Sequence, residues 1–284
     1  MKKNDTAGSS LVRLGNTQVL CGISLQIGTP ISSARRGGGN TSTTTTTTTT
    51  TTSSSVGNSG GGDVVVVMLS TQQQQQQQQA AAAAAATEEQ LQSIIANMLD
   101  LSALIIIDGQ AAWRIQLTIQ VLQDDGNAWD ATLLAAVAAL TDVNLPATKI
   151  MTTTTTTRNG PTTSATTSTV KAGTNRLGLV DDGDVGNNGG GKKTPLVFHY
   201  LPVPLTVGVY RSLSEQHSGL HLVADPTPDE APLLQGYLTM VVTDEDEIVY
   251  ARHASQVGLT RQHLAVAAHM AYGRGREIRA LLQE

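Results

Sequence analysis

Apolar and polar side chains alternate most regularly in the middle of the chain. The apolar members of this series are Trp113, Ile115, Leu117, Ile119 and Val121. Alternation with a period of two is typical of a strand with one buried and one solvated face. The turn dipeptide Asp108-Gly109 lies just before the series, so residues 103–123 are predicted to form two strands joined as a hairpin.

Shorter patterns predict further strands. Residues 9–29 contain the turn dipeptide Gly15-Asn16 between alternating segments and are predicted to form a second hairpin. The continuous apolar run 63–69 is typical of a buried strand. The predicted strands of the second half are 196–210, 219–225, 236–243 and 247–253, with an acidic turn at 244–246.

Three segments have helical patterns. Residues 87–101 repeat apolar side chains at helical spacing after Thr87, which can cap a helix. The run Ala80–Ala86 has high helix propensity, so we expect it to extend this helix towards its N terminus. Residues 128–142 are rich in alanine, and 259–282 form the last predicted helix. The predicted apolar side of that last helix includes Leu264, Ala267, Ala268, Ala271, Ile278, Leu281 and Leu282.

Hairpins and helices alternate along the chain, which favours an α+β sandwich over a doubly wound parallel sheet. Three stretches interrupt this order: a Thr/Ser/Gly tract at 31–62, a Gln/Ala tract at 70–86 and a Thr/Gly tract at 151–195. Thr and Gly tracts lack the apolar area that offsets their ordering entropy. We therefore expect disordered insertions at 31–62 and 151–195 within a single domain spanning 1–284.

Composition argues against two classes of protein. The 284 residues include 18 basic and 23 acidic side chains, which gives a formal net charge of −5, and a single cysteine. One cysteine cannot form an intramolecular disulfide, so a disulfide-stapled secreted fold is not expected, and the start MKKNDTAGSS does not resemble a signal peptide. No apolar run approaches the roughly 18 residues that span a bilayer, so no membrane partner is expected. The six histidines are interpreted as surface residues, so neither a metal site nor a cofactor is predicted.

Three segments resemble the RNase PH family, in the family's order and separation. They are GSSLVRLGNTQVLCGI (8–23), WRIQLTIQVLQDDGNAWDATLLAAVAALTDVNLP (113–146) and HLVADPTPDEAPLLQGYLTMVVTDED (221–246). Within that family, the DGN-x-x-DA form and the DPT-x-x-E segment are similar to ring subunits of the eukaryotic RNA exosome, of the type called exosome component eight. The resemblance implies an RNase PH-like fold, also called ribosomal protein S5 domain 2-like, built from ββ-α repeats.

The resemblance also implies a strand ahead of GSSLVRLG that this sequence does not contain. We therefore expect an unpaired edge in the sheet that this strand would cover, and an exposed edge is an aggregation liability.

Active members of the family cleave RNA by phosphorolysis, in a pocket where arginines hold phosphate and a carboxylate assists proton transfer. Matching the motifs puts Trp129 and Ala112 at arginine positions, and Ala231 and Tyr237 at aspartate positions. A one-residue slip would bring the carboxylates of Asp229-Glu230 to the first aspartate position. The resemblance nevertheless implies a pseudoenzyme without catalytic residues, whose vestigial positions are Ala112, Trp129, Ala231 and Tyr237.

Arginines elsewhere are the candidates for RNA contact. Arg114 is close to Ala112 in sequence and replaces the missing guanidinium only if both side chains share one face of the strand. Arg261, Arg274 and Arg276 give the last helix a basic character, which indicates either a solvated face or an RNA contact.

The resemblance implies a structural role in 3′-to-5′ RNA processing, including rRNA maturation, and in RNA decay. The implied partners are other RNase PH-like ring subunits, S1/KH-type cap subunits and RNA threaded through the ring. The implied locations are the nucleus, the nucleolus and the cytoplasm. Three alternatives stay open: an active phosphate-dependent 3′–5′ exoribonuclease, a low-complexity scaffold, and a truncated non-functional product.

Overall fold

The structure is a computed structural model, and it describes residues 6–28, 63–69, 77–152, 175–179, 193–212 and 219–282. The predicted insertion at 31–62 lies outside these residues, as do residues 70–76 of the Gln/Ala tract and most of 151–195. The chain divides into two compact units, one formed by 1–143 with 196–284 and the other by 144–195. No helix in the described ranges is long and apolar enough to cross a membrane.

The strands and the helices are each numbered in chain order. The strands are β1 (Gly8–Leu14), β2 (Thr17–Gly28), β3 (Asp63–Leu69), β4 (Ile105–Ile107), β5 (Ala111–Gln123), β6 (Asn144–Leu145), β7 (Thr148–Thr152), β8 (Asn175–Leu179), β9 (Thr194–Pro195), β10 (Val203–Ser212), β11 (Gly219–Ala224), β12 (Leu234–Val242) and β13 (Ile248–Ser255). The helices are α1 (Gln77–Met98), α2 (Ala128–Thr141) and α3 (Arg261–Leu282).

The first sheet of the larger unit has the order β1-β2-β5-β3 in the described part of the chain, and β4 also pairs with β5. Strand β3 runs parallel to β5, whereas the other pairings are antiparallel. The predicted hairpin turns at Gly15-Asn16 and Asp108-Gly109 are confirmed, and both glycines have positive φ. The alternation in β5 is also confirmed, because Ile115, Leu117 and Ile119 are fully buried.

The second sheet of this unit is antiparallel, in the order β11-β10-β12-β13. Its strand β10 begins at Val203, so the prediction of a strand over 196–210 was wrong at its start. Pro202 has no N–H to donate to a ladder. The backbone ahead of it bonds elsewhere: the Asp100 N–H donates to the Val197 carbonyl at 3.0 Å, and the His199 N–H donates to the Met98 carbonyl at 2.8 Å.

Helix α2 packs against β1 and β2 of the first sheet and against β10 of the second. The backbones of α2 and β1 approach each other closely, because a Cβ added to Gly8 of β1 would stand 2.6 Å from the Ala139 carbonyl oxygen. The small alanine side chains of α2 allow this approach. Helix α1 begins at Gln77 and includes the alanine run, which confirms the predicted extension, and it ends at Met98. Asp100 then caps a short 3₁₀ helix by accepting a hydrogen bond from the Ser102 N–H.

Helix α3 packs on β10 and β12 through small residues spaced four apart, Ala267, Ala271 and Gly275. Leu264 and Leu281, which were predicted on the apolar side of this helix, are not part of its packed face, since these residues are 41% and 67% exposed. The small residues form the buried stripe, so the two leucines remain at the surface.

The unit 144–195 contains two antiparallel strand pairs in its described residues, β6 with β9 and β7 with β8. Residues 153–174 and 180–192 of the predicted insertion at 151–195 lie outside the described residues. For those residues the insertion stays a prediction.

Candidate functional site

A cleft of ≈ 580 Å³ opens where the N terminus of α2 meets the second sheet. Thr206 and Thr239 line it from β10 and β12, and Tyr250 lines it from β13. Trp129 lines it from α2, and Pro226–Pro228 line it from the loop between β11 and β12. Elements from both halves of the sequence therefore build this cleft.

The turn that starts α2 is fastened to the first hairpin. The Thr17 hydroxyl donates to the Gly126 carbonyl at 2.7 Å and accepts from the Asp125 N–H at 2.9 Å. Gly126 has a φ of +99°, and a Cβ at this position would stand 2.9 Å from the Pro226 carbonyl oxygen. Only glycine therefore fits where the turn and the β11–β12 loop meet beside the cleft.

A buried carboxylate joins α2 to the second sheet next to the cleft. Asp130 accepts hydrogen bonds from the Thr206 N–H and the Thr206 hydroxyl, each at 2.7 Å. The Asn127 amide donates both to Asp130 and to Asp225, each at 2.8 Å. This network fixes the position of Trp129, which precedes Asp130 in the same helical turn.

Burial raises the pKa of the Asp130 carboxyl from 3.8 to about 6. The hydrogen bonds from Thr206 and Asn127 favour the charged form and act in the opposite direction, and the nearby charge of Asp225 adds to the increase. Because the folded state binds this proton more tightly than the unfolded state, Asp130 makes the fold more stable as pH falls from about 6 towards 3.8.

Lowering the pH from about 7 to about 5 should therefore raise the free energy of unfolding through Asp130 by about 1 kcal/mol. The variant Asp130→Asn has a side chain of similar size that does not titrate, so it should lose this part of the pH dependence. Urea unfolding of both proteins at both pH values measures the difference. Burial also raises the pKa values of Asp63 and Glu88, and these contributions cancel because both proteins contain them. An identical pH dependence in the two proteins would contradict the prediction.

Two aromatic rings stack in the cleft. The rings of Trp129 and Tyr250 have centroids 5.7 Å apart and planes inclined by 20°. The Tyr250 hydroxyl donates a hydrogen bond to Gln90 at 3.1 Å. The Nε1 of Trp129 is buried and makes no hydrogen bond within the described structure. Stacking and packing therefore hold the indole ring in place, without a hydrogen bond from its Nε1 atom.

The described cleft lining carries one charge of each sign, and the exposed carboxylates beside it make its surroundings acidic. Of the described residues that line it, Arg252 is the only cation and Asp124 the only carboxylate. The two loops at this end of the molecule carry exposed carboxylates, which are Asp124, Asp125, Asp225, Asp229 and Glu230. One guanidinium therefore stands in a predominantly acidic surrounding.

Three of the four vestigial positions predicted from the sequence meet in this cleft. Trp129, Ala231 and Tyr237 all line it, although more than a hundred residues separate the first from the last. Ala112 does not line it, because this residue is buried in β5, where it pairs with Gly28 and Ile105. The structure thus brings together three of the four positions that motif matching selected, and Ala112 is not among them.

None of the four arginines proposed for RNA contact lines the cleft. Arg114 forms an ion pair with Asp63, with 3.0 Å between Nε and Oδ2, and faces Asp63 across the β3–β5 pairing. Arg276 forms an ion pair with Asp246 at the turn between β12 and β13. Arg261 is exposed at the first residue of α3, and Arg274 is half-buried on the same helix.

Sequence reasoning missed Arg252, Tyr250 and Thr206 as cleft residues. Tyr250, Arg252 and Ala254 all line the cleft from β13, so alternation along this strand was the available signal. Nothing local in the sequence marks Thr206, whose bonds to Asp130 join residues 76 positions apart. Within the described residues, no group of three or more His, Cys, Asp or Glu side chains is placed to hold a metal ion.

The fold is that of exosome core subunits. A chain from a structure titled "Archaeal exosome core" matches with a TM-score of 0.59 and 20% sequence identity, covering 98% of this chain and 82% of that chain. A second structure, of the Archaeoglobus fulgidus exosome with RNA bound to the active site, matches with a TM-score of 0.57 and 19% identity over 97% of this chain and 83% of that one.

The sequence comparison identifies the family to which the chain belongs. Residues 3–146 match the family model described as 3′ exoribonuclease family, domain 1 (RNase PH). The exosome complex component Rrp42 of Methanosarcina mazei is 24% identical over 277 residues, which are 98% of this chain and 80% of that protein. The chain belongs to the RNase PH family, and both the resemblance and the α+β fold predicted from the sequence are confirmed.

Proposed function

We propose that this protein is a catalytically inactive structural subunit of the RNA exosome ring that supports 3′-to-5′ RNA processing, including rRNA maturation, and RNA decay. The similar proteins named exosome complex component support the ring assignment. The sequence resemblance favours the exosome component eight type among the ring subunits.

The single observation that carries the inactive assignment is the indole of Trp129 in the cleft. Phosphorolysis places inorganic phosphate beside the phosphodiester at the RNA 3′ end, so two anions must share one pocket. A guanidinium offers a charged fork of donors for such anions, whereas an indole has one neutral donor. That donor, Nε1 of Trp129, is buried and has no accessible surface to offer a ligand.

An active phosphorolytic exoribonuclease is the competing function. Arg252 and Asp124 line the cleft and would have to supply both the phosphate site and the proton transfer. One guanidinium and one carboxylate in the same lining leave little net positive charge for two phosphate groups. We therefore favour the structural role.

The proposed partners are other RNase PH-like ring subunits, S1/KH-type cap subunits and RNA that passes through the ring. The proposed locations are the nucleus, the nucleolus and the cytoplasm, where RNA processing and decay take place. Obligate interfaces between ring subunits commonly bury more than about 2,000 Å². Apolar side chains that remain exposed, such as Leu11 and Leu20, which are neighbours on β1 and β2, would be covered in such an assembly.

Affinity purification of the tagged full-length chain tests the ring assignment. We expect it to recover other RNase PH-like subunits together with S1/KH-type subunits in stoichiometric amounts. The scaffold alternative assigns association to the low-complexity tracts. If the folded part of the chain makes the association instead, a variant that lacks residues 31–62 should recover the same subunits. Recovery of no ring subunit by the full chain would overturn the assignment, and loss of the subunits only on deletion would favour the scaffold.

A further inference from the structure

We propose that the cleft beside Trp129 binds a basic, proline-containing peptide segment of a protein partner. The inference rests on the lining of the cleft and does not depend on the ring assignment. A protein that fails to assemble into a ring could still bind such a peptide, so the two proposals fail separately.

The aromatic lining is suited to proline rings. Trp129 and Tyr250 are stacked, and Tyr237 lines the same cleft. Aromatic grooves of this kind bind the polyproline II conformation, which is extended, has no internal hydrogen bonds and loses little entropy on binding. The free volume of ≈ 580 Å³ accommodates a few residues of such a segment.

The charge of the cleft selects a basic ligand. Asp124 lines it, and Asp225 and Glu230 are exposed on the adjoining loop. Arg252 is the single cation among the described lining residues. Carboxylates at the rim of an aromatic groove attract and orient arginine side chains of a ligand.

The same charges disfavour a nucleic acid as the occupant. Binding of RNA depends on lysine and arginine side chains that neutralise successive phosphates. Exposed carboxylates on both loops repel a polyanion, and Arg252 is the single cation of the described lining that can neutralise a phosphate. Aromatic stacking alone would also suit an RNA base. The negative charge beside the cleft favours the basic peptide over RNA.

Fluorescence anisotropy with labelled peptides tests the proposal on the full-length chain. The probe is a peptide of repeated Arg-Pro-Pro triplets. The comparison probes are Glu-Pro-Pro repeats, which reverse the charge, Arg-Gly-Ser repeats, which remove the proline, and oligouridine RNA. We expect saturable binding of the Arg-Pro-Pro peptide and binding at least about tenfold weaker for each of the other three probes.

Variants connect the binding to the cleft. Tyr250→Ala removes half of the aromatic stack, and Ala231→Arg adds a cation and bulk at the cleft wall. Each variant should bind the Arg-Pro-Pro peptide with about tenfold lower affinity. Tyr210→Ala is the matched control, because Tyr210 is a half-exposed tyrosine of β10 outside the cleft, and it should bind the peptide unchanged. If Tyr250→Ala proves unfolded by thermal melting, Ala231→Arg decides alone.

Two results would overturn the proposal. One is that the Arg-Pro-Pro peptide fails to bind, binds no better than Glu-Pro-Pro or Arg-Gly-Ser repeats, or binds as tightly when the cleft is altered. The other is that oligouridine binds more tightly than the peptide and loses affinity in Tyr250→Ala, which would make the cleft an RNA site.

Discussion

Replacing Gly236 with alanine should destabilise the folded chain by about 3 kcal/mol or more. Gly236 lies in β12 with a φ of +154°, and a Cβ there would stand 2.3 Å from both Cα and Cβ of Ser255 in β13. Backbone atoms of a neighbouring strand cannot move aside as the end of a flexible side chain can. The substitution should therefore separate β13 from β12 at this end of the second sheet.

Urea denaturation of the variant measures this loss, with Gly258→Ala as the matched control. Gly258 follows β13 by a few residues, and a Cβ added there meets nothing within 4 Å. The control should unfold within about 0.5 kcal/mol of the unaltered chain. Equal stability of the two variants would contradict the close approach of β12 and β13 at Gly236.

Replacing Leu117 with alanine should cost about 2–5 kcal/mol of folding free energy. Leu117 is fully buried in β5, the strand that pairs with β2, β3 and β4. Its removal leaves a cavity in the core, and neighbours held by strands on both sides cannot close that cavity fully.

The neighbouring residue supplies the control for this prediction. Thr118→Ala changes the opposite, solvent-facing side of the same strand, where the side chain is only half-buried. Its cost should stay below about 1 kcal/mol. Chemical unfolding of both variants checks the face assignment, which would be wrong if Thr118→Ala destabilised the chain more than Leu117→Ala.

Local patterns were sufficient to predict most of the elements. The faces of β5 follow from strict alternation, and the two hairpins follow from dipeptides whose glycines take positive φ. The extension of α1 over the alanine run follows from intrinsic propensity alone. These features depend on residues that are close in sequence, so they can be inferred without knowledge of the packing.

Features that depend on distant residues could not be predicted. The parallel pairing of β3 with β5 joins Asp63 to Arg114, and the Asp130–Thr206 hydrogen bonds join α2 to β10. The exposure of Leu264 and Leu281 depends on how closely the small residues of α3 approach the sheet. In each case the outcome is set by a tertiary contact that leaves no periodic signal in the sequence.

Sequence motifs were sufficient to identify some residues of the candidate site. They did not identify residues that only the folded chain brings next to the cleft. Matching motifs identified Trp129, Ala231 and Tyr237, which line one cleft. The same matching placed Ala112 with them, whereas this residue is buried in β5 and does not line the cleft. Arg114, considered as its substitute, is paired with Asp63. The cation that lines the cleft, Arg252, comes from a strand outside the matched motifs.

The proposed absence of phosphorolytic chemistry is tested most directly by incubating the purified full-length chain with single-stranded RNA and inorganic phosphate, and measuring the release of nucleoside diphosphates. An active phosphorolytic member of the RNase PH family serves as the positive control. Because motif matching puts Trp129 at the position of a phosphate-binding arginine, we expect no phosphate-dependent release above a protein-free reaction. Phosphate-dependent release by the chain that is lost in both Arg252→Ala and Asp124→Asn would contradict the inactive assignment.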